Sequence, residues 1–413
     1  MEFEFTPQQK QLRSEVQAFI AENMTDTLRA ELKDDARGSG SEGDAFFDKI
    51  MARGWTAVSW PREYGGQGGS PMDQFIIEEE FQRIGYKRIG GGGTGAPAIL
   101  ASGTEEQKRT FVPATIRGEI SFSQGYSEPG CGTDLAGIQC RALRQGDTYV
   151  INGQKIYTTS AHACTHIFLM VRTDPLSKRQ AGLSILLVPI DAPGITVRPL
   201  WTIQNEPRAP TLTTYGEPRT NEVFLDNVVV PASCLLGQEG DGWAVARRGL
   251  NLDRVGAWRY LISVMRDEDI VGWLKKDEPR NASLRADPRV RDKVAELWIE
   301  GQVARLMTMR SMSITQRGLP FSYEGSAEKV WAPEHGVRAT EAISQILGPS
   351  AQLLNGSPDA IDDGLFAHNL LGAFQSTVNH GSVQVMRDQI ARNGLGMPRA
   401  QGTAPATEPR KGA

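Results

Sequence analysis

Three regimes of apolar periodicity follow one another along the chain. The first is helical. Leu12, Val16, Phe19 and Ile20 stand at i, i+4, i+7 and i+8, one face of a helix. Ahead of them, Thr6-Pro7-Gln8-Gln9 offers a cap, a proline suited to the first turn and a glutamine that completes a capping box. The glycine-rich stretch from Trp60 to Gly69 reads as a turn, Asp73 to Ile84 as another helix, and Gly90 to Gly95 as a flexible run. Thr104-Glu105-Glu106-Gln107 is a further helix start. Residues 1–120 are therefore expected to be an all-α domain.

From Ser121 to about Pro231 the apolar period is two, or the runs are continuous and short. T-Y-V-I, I-F-L-M-V, L-S-I-L-L-V-P-I, I-T-V-R-P-L and E-V-F-L-D-N-V-V-V-P are separated by turn residues, as in a small barrel or sandwich. This places a β domain over 121–236. The helical period returns after Gly240-Asp241-Gly242. Val294, Leu297, Trp298, Gly301 and Ala304 make one expected core stripe, and Ala327–Ile346 and Val383–Arg392 also read as helix. A helical bundle is thus expected over 237–400, with 401–413 as a disordered tail lacking periodicity. The fold class is α+β, in the order α, β, α.

The richest stretch for chemistry runs from Gln124 to Thr173. Its loop, Ser127-Glu128-Pro129-Gly130 and Gly132-Thr133-Asp134, carries backbone N–H groups and hydroxyls that no helix consumes. Asn152-Gly153 between two β-rich runs predicts a two-residue hairpin turn. Such a loop and edge could hold a flat polar heterocycle, or could be an ordinary surface loop above a hairpin.

Composition narrows the classes. With 413 residues, 39% hydrophobic and 23% charged, the chain has the balance of a soluble globular protein. A net charge of −4 offers no footprint for nucleic acid or an anionic membrane. The acidic start, M-E-F-E-F-T-P, does not resemble a secretory signal. Four cysteines without CxxC spacing, and five histidines without HExxH, suggest a reducing, cytoplasmic setting and no metal.

Five phrases in order resemble the acyl-CoA dehydrogenases: G-W-x-x-x-x-W-P-x-E-Y-G-G (54–66), Y-S-E-P-G-C-G-T-D (126–134), N-G-Q-K-I-Y-T-T (152–159), N-E-V-F-L-D-N-V-V-V-P (221–231) and G-x-E-G-D-G-W (237–243). The likeness covers Phe5 to about Arg399. It implies an N-terminal helical domain, a central β-barrel or sandwich and a C-terminal four-helix bundle. It also implies FAD between the β domain and the bundle, an acyl-CoA substrate, an electron-transfer flavoprotein as acceptor, and a homo- or heterotetramer. By the same resemblance, Tyr126, Ser127, Thr158 and Thr159 contact the flavin, while Thr133 serves the cofactor and the pantetheine arm. Gln345, Gly348, Ser382 and Gln384 are further cofactor positions, and Arg254 and Gly381 are substrate positions.

Desaturating a thioester requires a base for the α-proton on the face opposite the flavin. The family's commoner base position, a Glu before Gly-Thr/Ser in the last helical segment, is here His380 in T-V-N-H-G-S. The rarer one, a Glu before Arg on the helix after G-D-G-W, is Asp253 in L-N-L-D-R-V. Asp253 is the expected base, His380 the second candidate, and a subunit without catalytic activity the third reading. The family's Arg segment that reaches a neighbour's FAD phosphates has no match, and Gln345-Ile-Leu-Gly348-Pro loses the other family glycines. These departures resemble the bacterial heterotetrameric acyl-CoA dehydrogenases of steroid side-chain degradation, which implies a bulky or branched acyl group. Two other functions stay open: a non-catalytic subunit completing a partner's FAD site, or a flavin oxidase or monooxygenase on the same fold.

Overall fold

Thr6 begins the first helix as its neighbours foretell: its hydroxyl accepts from the Gln9 N–H while Gln9 Oε1 accepts from the Thr6 N–H. The computed structural model describes residues 4–34, 40–86, 88–89, 95–177, 179–202, 220–253 and 256–398. The 90–94 stretch of the expected flexible run, the 401–413 tail and Arg254 lie outside the described residues.

The N-terminal helices are α1 (Pro7–Asn23), α2 (Asp26–Asp34), α3 (Ser41–Ala52), α4 (Pro71–Arg83), α5 (Gly95–Ser102) and α6 (Glu105–Ile116). Val16 and Phe19 are buried with Phe46, Ile50, Trp55, Phe81 and Tyr86, so the α1 stripe does face a core. Thr104 and Gln107 form another reciprocal box, as Ser70 and Asp73 do at the start of α4. Gln107 then reaches out of its helix, donating to the carbonyls of Ser233 (2.9 Å) and Leu235 (2.8 Å) and tying α6 to the β domain.

The strands are β1 (Phe122–Gly125), β2 (Arg141–Gln145), β3 (Thr148–Lys155), β4 (His166–Arg172), β5 (Leu183–Pro189), β6 (Ile195–Pro199), β7 (Asn221–Pro231) and β8 (Leu235–Leu236). They pair as one sheet in the order β6-β7-β3-β2-β4-β5-β8, with β1 parallel to the first half of β4. The apolar runs Ile167–Val171 of β4 and Ile185–Val188 of β5 are continuous because both of their faces are buried. The short β2, R-A-L-R-Q, has too few apolar positions to announce itself.

Asn152-Gly153 is not the hairpin turn. That turn is Gly146-Asp147, which joins β2 to β3 with Gln145 facing Thr148 and Gly146 at φ +60°. Asn152 and Gly153 lie inside β3, where the register against β7 shifts between Ile151 and Gly153, as at a β-bulge. Asn152 accepts from the Asn227 N–H at 2.9 Å, and a Cβ on Gly153 would stand 2.7 Å from Cys140 Sγ. The same two residue types serve turn and bulge alike, since both need an unusual backbone.

After the sheet come α7 (Gly242–Asp253), α8 (Ala257–Leu274), α9 (Pro279–Ala286), α10 (Pro288–Gln316), α11 (Glu324–Leu347), α12 (Leu365–Ala373), α13 (Gln375–Val378) and α14 (Val383–Gln389). The long helices α8, α10 and α11 are pinned by buried His335, whose ring nitrogens lie 2.8 Å from both Asp267 and Glu300. The expected α10 stripe is corrected at one position. Leu297, Gly301 and Ala304 are buried, but Trp298 is 61% exposed, because one residue further along turns it about 100° off that face. Helix α4 joins the halves: Met72, Phe75 and Ile76 pack on Tyr260, Leu261 and Val264. Beside them, buried Glu79 accepts from Tyr260 and pairs with Arg13 and Arg305.

Candidate active site

The loop between β1 and β2 is held down by one buried ion pair. Lys155, fully buried on β3, lies 2.8 Å from Glu128 and donates to the Tyr126 carbonyl at 3.1 Å. The Glu128 carboxylate also accepts from the backbone N–H groups of Gln139 (2.7 Å) and Cys140 (2.9 Å). Ser127 offers its carbonyl to the Ile156 N–H at 2.9 Å. The loop that carries Tyr126, Ser127 and Thr133 is thus fastened to the end of β3, with Thr133 exposed.

β3 then turns a strained corner. Tyr157 at φ +57° and Ser160 at φ +67° bracket Thr158 and Thr159. Side chains other than glycine occupy this region rarely, and such residues gather at functional sites. Thr158 is fully buried, and its backbone exchanges hydrogen bonds with Asn221 on β7. Among the described residues its hydroxyl has no hydrogen-bond partner, the state of a group waiting for a ligand or water. Thr159 is exposed, and its carbonyl accepts from Ser123 at 2.6 Å. Tyr126 and Ser127, just past β1, and Thr158 and Thr159, just past β3, are therefore brought together at one end of these strands. The sequence reading missed the residues that hold them there, Glu128, Lys155 and Asn221. A lysine in an alternating strand was the one available signal.

The helical side gathers a second set. Helix α7 runs so close to β5 that a Cβ on Gly242 would come within 2.5 Å of Ser184 Cα, and it ends at Asp253. Four residues later α8 begins, and its Trp258 and Arg259 pack on His380: ring centroids 5.6 Å apart for Trp258, and Arg259 Nη2 to His380 Nδ1 at 3.4 Å. His380 at φ +50° and Gly381 at φ +95° form a tight corner before α14. Ser382 is that helix's N-cap, accepting from the Val385 N–H, and Gln384 is exposed.

Gln345 and Gly348 stand apart. Lys329, near the start of α11, bonds to the Ser376 carbonyl beside the His380 turn. Gln345 lies 16 residues on, roughly 24 Å along the same helix. There Arg280 holds the helix end through the Leu347 carbonyl at 2.6 Å. Within one chain, these two residues do not join the others.

Family models for the acyl-CoA dehydrogenase N-terminal, middle and C-terminal domains match residues 6–119, 123–214 and 240–395. The chain belongs to the acyl-CoA dehydrogenases. It is therefore an oxidoreductase acting on CH–CH groups, in a family that is generally FAD-dependent. Acyl-CoA dehydrogenase FadE26 of Mycobacterium tuberculosis is 33% identical over 416 residues, covering 97% of this chain and all of the relative. Among solved structures, the Tcur3481-Tcur3483 steroid ACAD superposes with a TM-score of 0.83 at 28% identity, over 97% of this chain and 100% of the other. The ChsE4-ChsE5 complex from Mycobacterium tuberculosis does so at 0.81 and 32% identity, with the same coverage. No described helix of this acyl-CoA dehydrogenase is long and apolar enough to cross a membrane.

Proposed function

We propose that this chain is a subunit of a heteromeric, FAD-dependent dehydrogenase that introduces an α,β double bond into an acyl-CoA with a bulky, steroid-type acyl group. One observation supports the reading: Asp253, the residue that ends α7, stands four residues before α8, whose first turn packs on His380. The likeness to a steroid ACAD and to a two-component complex supports the acyl class and the second subunit.

The residues present fit FAD, since the unpartnered Thr158 hydroxyl sits at a strained sheet corner beside Tyr126 and Ser127. Tyr126, Ser127, Thr158 and Thr159 would hold the ring, and Gln345 and Gly348, remote in this chain, would face a neighbour's cofactor. When bound, FAD supplies the acceptor for the β-hydride, and an electron-transfer flavoprotein takes the electrons on. Asp253 takes the α-proton as the Cα–H bond breaks. Being one methylene shorter than glutamate, it needs the substrate to sit about 1 Å closer, a displacement that matters for proton transfer.

The test is Asp253→Asn in the assembled enzyme. FAD content should persist while substrate-dependent bleaching of the flavin falls by at least about 100-fold. Full-rate bleaching by this variant would overturn the role of Asp253. A second reading, a subunit that only completes its partner's site, is favoured by Pro349, which follows Gly348 without an N–H to offer a phosphate. Stoichiometric FAD on the chain purified alone would count against it.

A further inference from the structure

We infer that the groove between α8 and α10 is a socket for a lysine or arginine side chain of the second subunit. This rests on the reading of the enzyme as heteromeric. The groove has a volume of about 320 Å³ and is walled by Val264, Val271, Val294 and Trp298, with the recessed Asp267 on its floor. Gly301 keeps the floor open, since a Cβ there would stand 3.0 Å from Asp267 Oδ2.

The floor asks for a donor. Asp267 is 5% exposed, and its Oδ2 lies 2.8 Å from His335 Nε2. Its Oδ1 is also buried and has no hydrogen-bond partner among the described residues, although an ionised carboxylate offers acceptors alone. The nearby cations are turned elsewhere. Arg266 lies against α11, where a Cβ on Gly336 would come within 2.5 Å of its Nη1, and Arg338 holds Glu300 at 2.7 Å. At the rim, Glu268 pairs with Arg83 at 2.7 Å and Lys275 is exposed. Burial pushes the Asp267 carboxyl up, so a cation brought to Oδ1 would restore the charge that burial opposes.

The walls suit the rest of such a side chain. The valines match its alkyl stem. Trp298 is 61% exposed, and an indole face close to a carboxylate attracts an ammonium or guanidinium. The apolar surface also continues past the groove. Ile299 and Leu306 stand three residues before and four after Gln302, which lines the groove, and they are 57% and 43% exposed. Such a stripe beside an exposed tryptophan marks a protein contact and not the site of a free amine.

Two measurements test this. In the full chain purified alone, with its valine methyls labelled for NMR, N-acetyl-arginine amide at millimolar concentration should shift the Val264, Val271 and Val294 signals. N-acetyl-citrulline amide, of similar shape without the charge, should bind roughly 10-fold more weakly, and Asp267→Asn should erase that difference. No shift at these valines, or equal binding of the two probes, would overturn the inference. In the heteromer, Trp298→Ala should raise the subunit dissociation constant about 10-fold or more by sedimentation, while the lone variant chain unfolds at the wild-type midpoint. Assembly as tight as wild type would overturn the inference. So would a lone chain that runs as a dimer until Trp298→Ala separates it, which would give the groove to a second copy. Neither measurement reads turnover. An assembly that oxidises no acyl-CoA would therefore end the proposed function and leave the socket standing.

Discussion

The sheet side of the site, around Glu128, and the helical side, around His380, hold their residues by different means. On the sheet side, Glu128 and Lys155 are 27 residues apart, and the other bonds that fasten the loop run to backbone just before β2 and just after β3. On the helical side, His380 and Arg259 are 121 residues apart, and the contact is between two side chains. Fixed backbone partners tolerate change around them, whereas a side-chain pair between separate helices can be rebuilt by one substitution. The difference shows that the loop is held by segments close to it in the chain, whereas the His380 contact depends on how α8 packs against the turn before α14.

The sharpest way to break this comparison is Lys155→Met. It leaves the Glu128 carboxylate buried without its cation, a loss of about 3–5 kcal/mol. Denaturant unfolding should show the shift, with Glu128→Gln in the same chain recovering part of it. A cost under about 1 kcal/mol would mean that the two backbone N–H groups suffice to hold the loop. Next, Gly153→Ala presses a methyl group against Cys140 at φ +152°, with an expected loss of about 1–3 kcal/mol. An unchanged unfolding midpoint would mean that the bulge relaxes freely.

The smallest effect probes the helical half through pH. Burial opposes charge on His335, but the hydrogen bonds and charges of Asp267 and Glu300 outweigh it and raise its pKa. A raised histidine stabilises fully below its unfolded value of about 6.5 and loses that contribution as pH rises through the folded value, about 1.4 kcal/mol for each unit between them. The melting temperature should therefore fall from pH 6.5 upward, and His335→Gln should flatten that slope. A slope unchanged in the variant would assign it to other groups.

The sequence by itself settled whatever short-range chemistry decides. The Thr6 and Thr104 boxes could be read from four residues each, and the five apolar runs became β3, β4, β5, β6 and β7. The five family phrases told the fold. Local reading went astray where one signal serves two geometries, as at Asn152-Gly153, or where a helical stripe is a single residue too wide, as at Trp298. Only the tertiary structure could say that Lys155 reaches under the loop, that Gln345 stands roughly 24 Å along α11 from the corner where His380 sits, and that Arg259 occupies His380 Nδ1. Such facts depend on where separate helices and strands end up relative to one another. Packing of the whole core sets that, and no spacing along the chain records it.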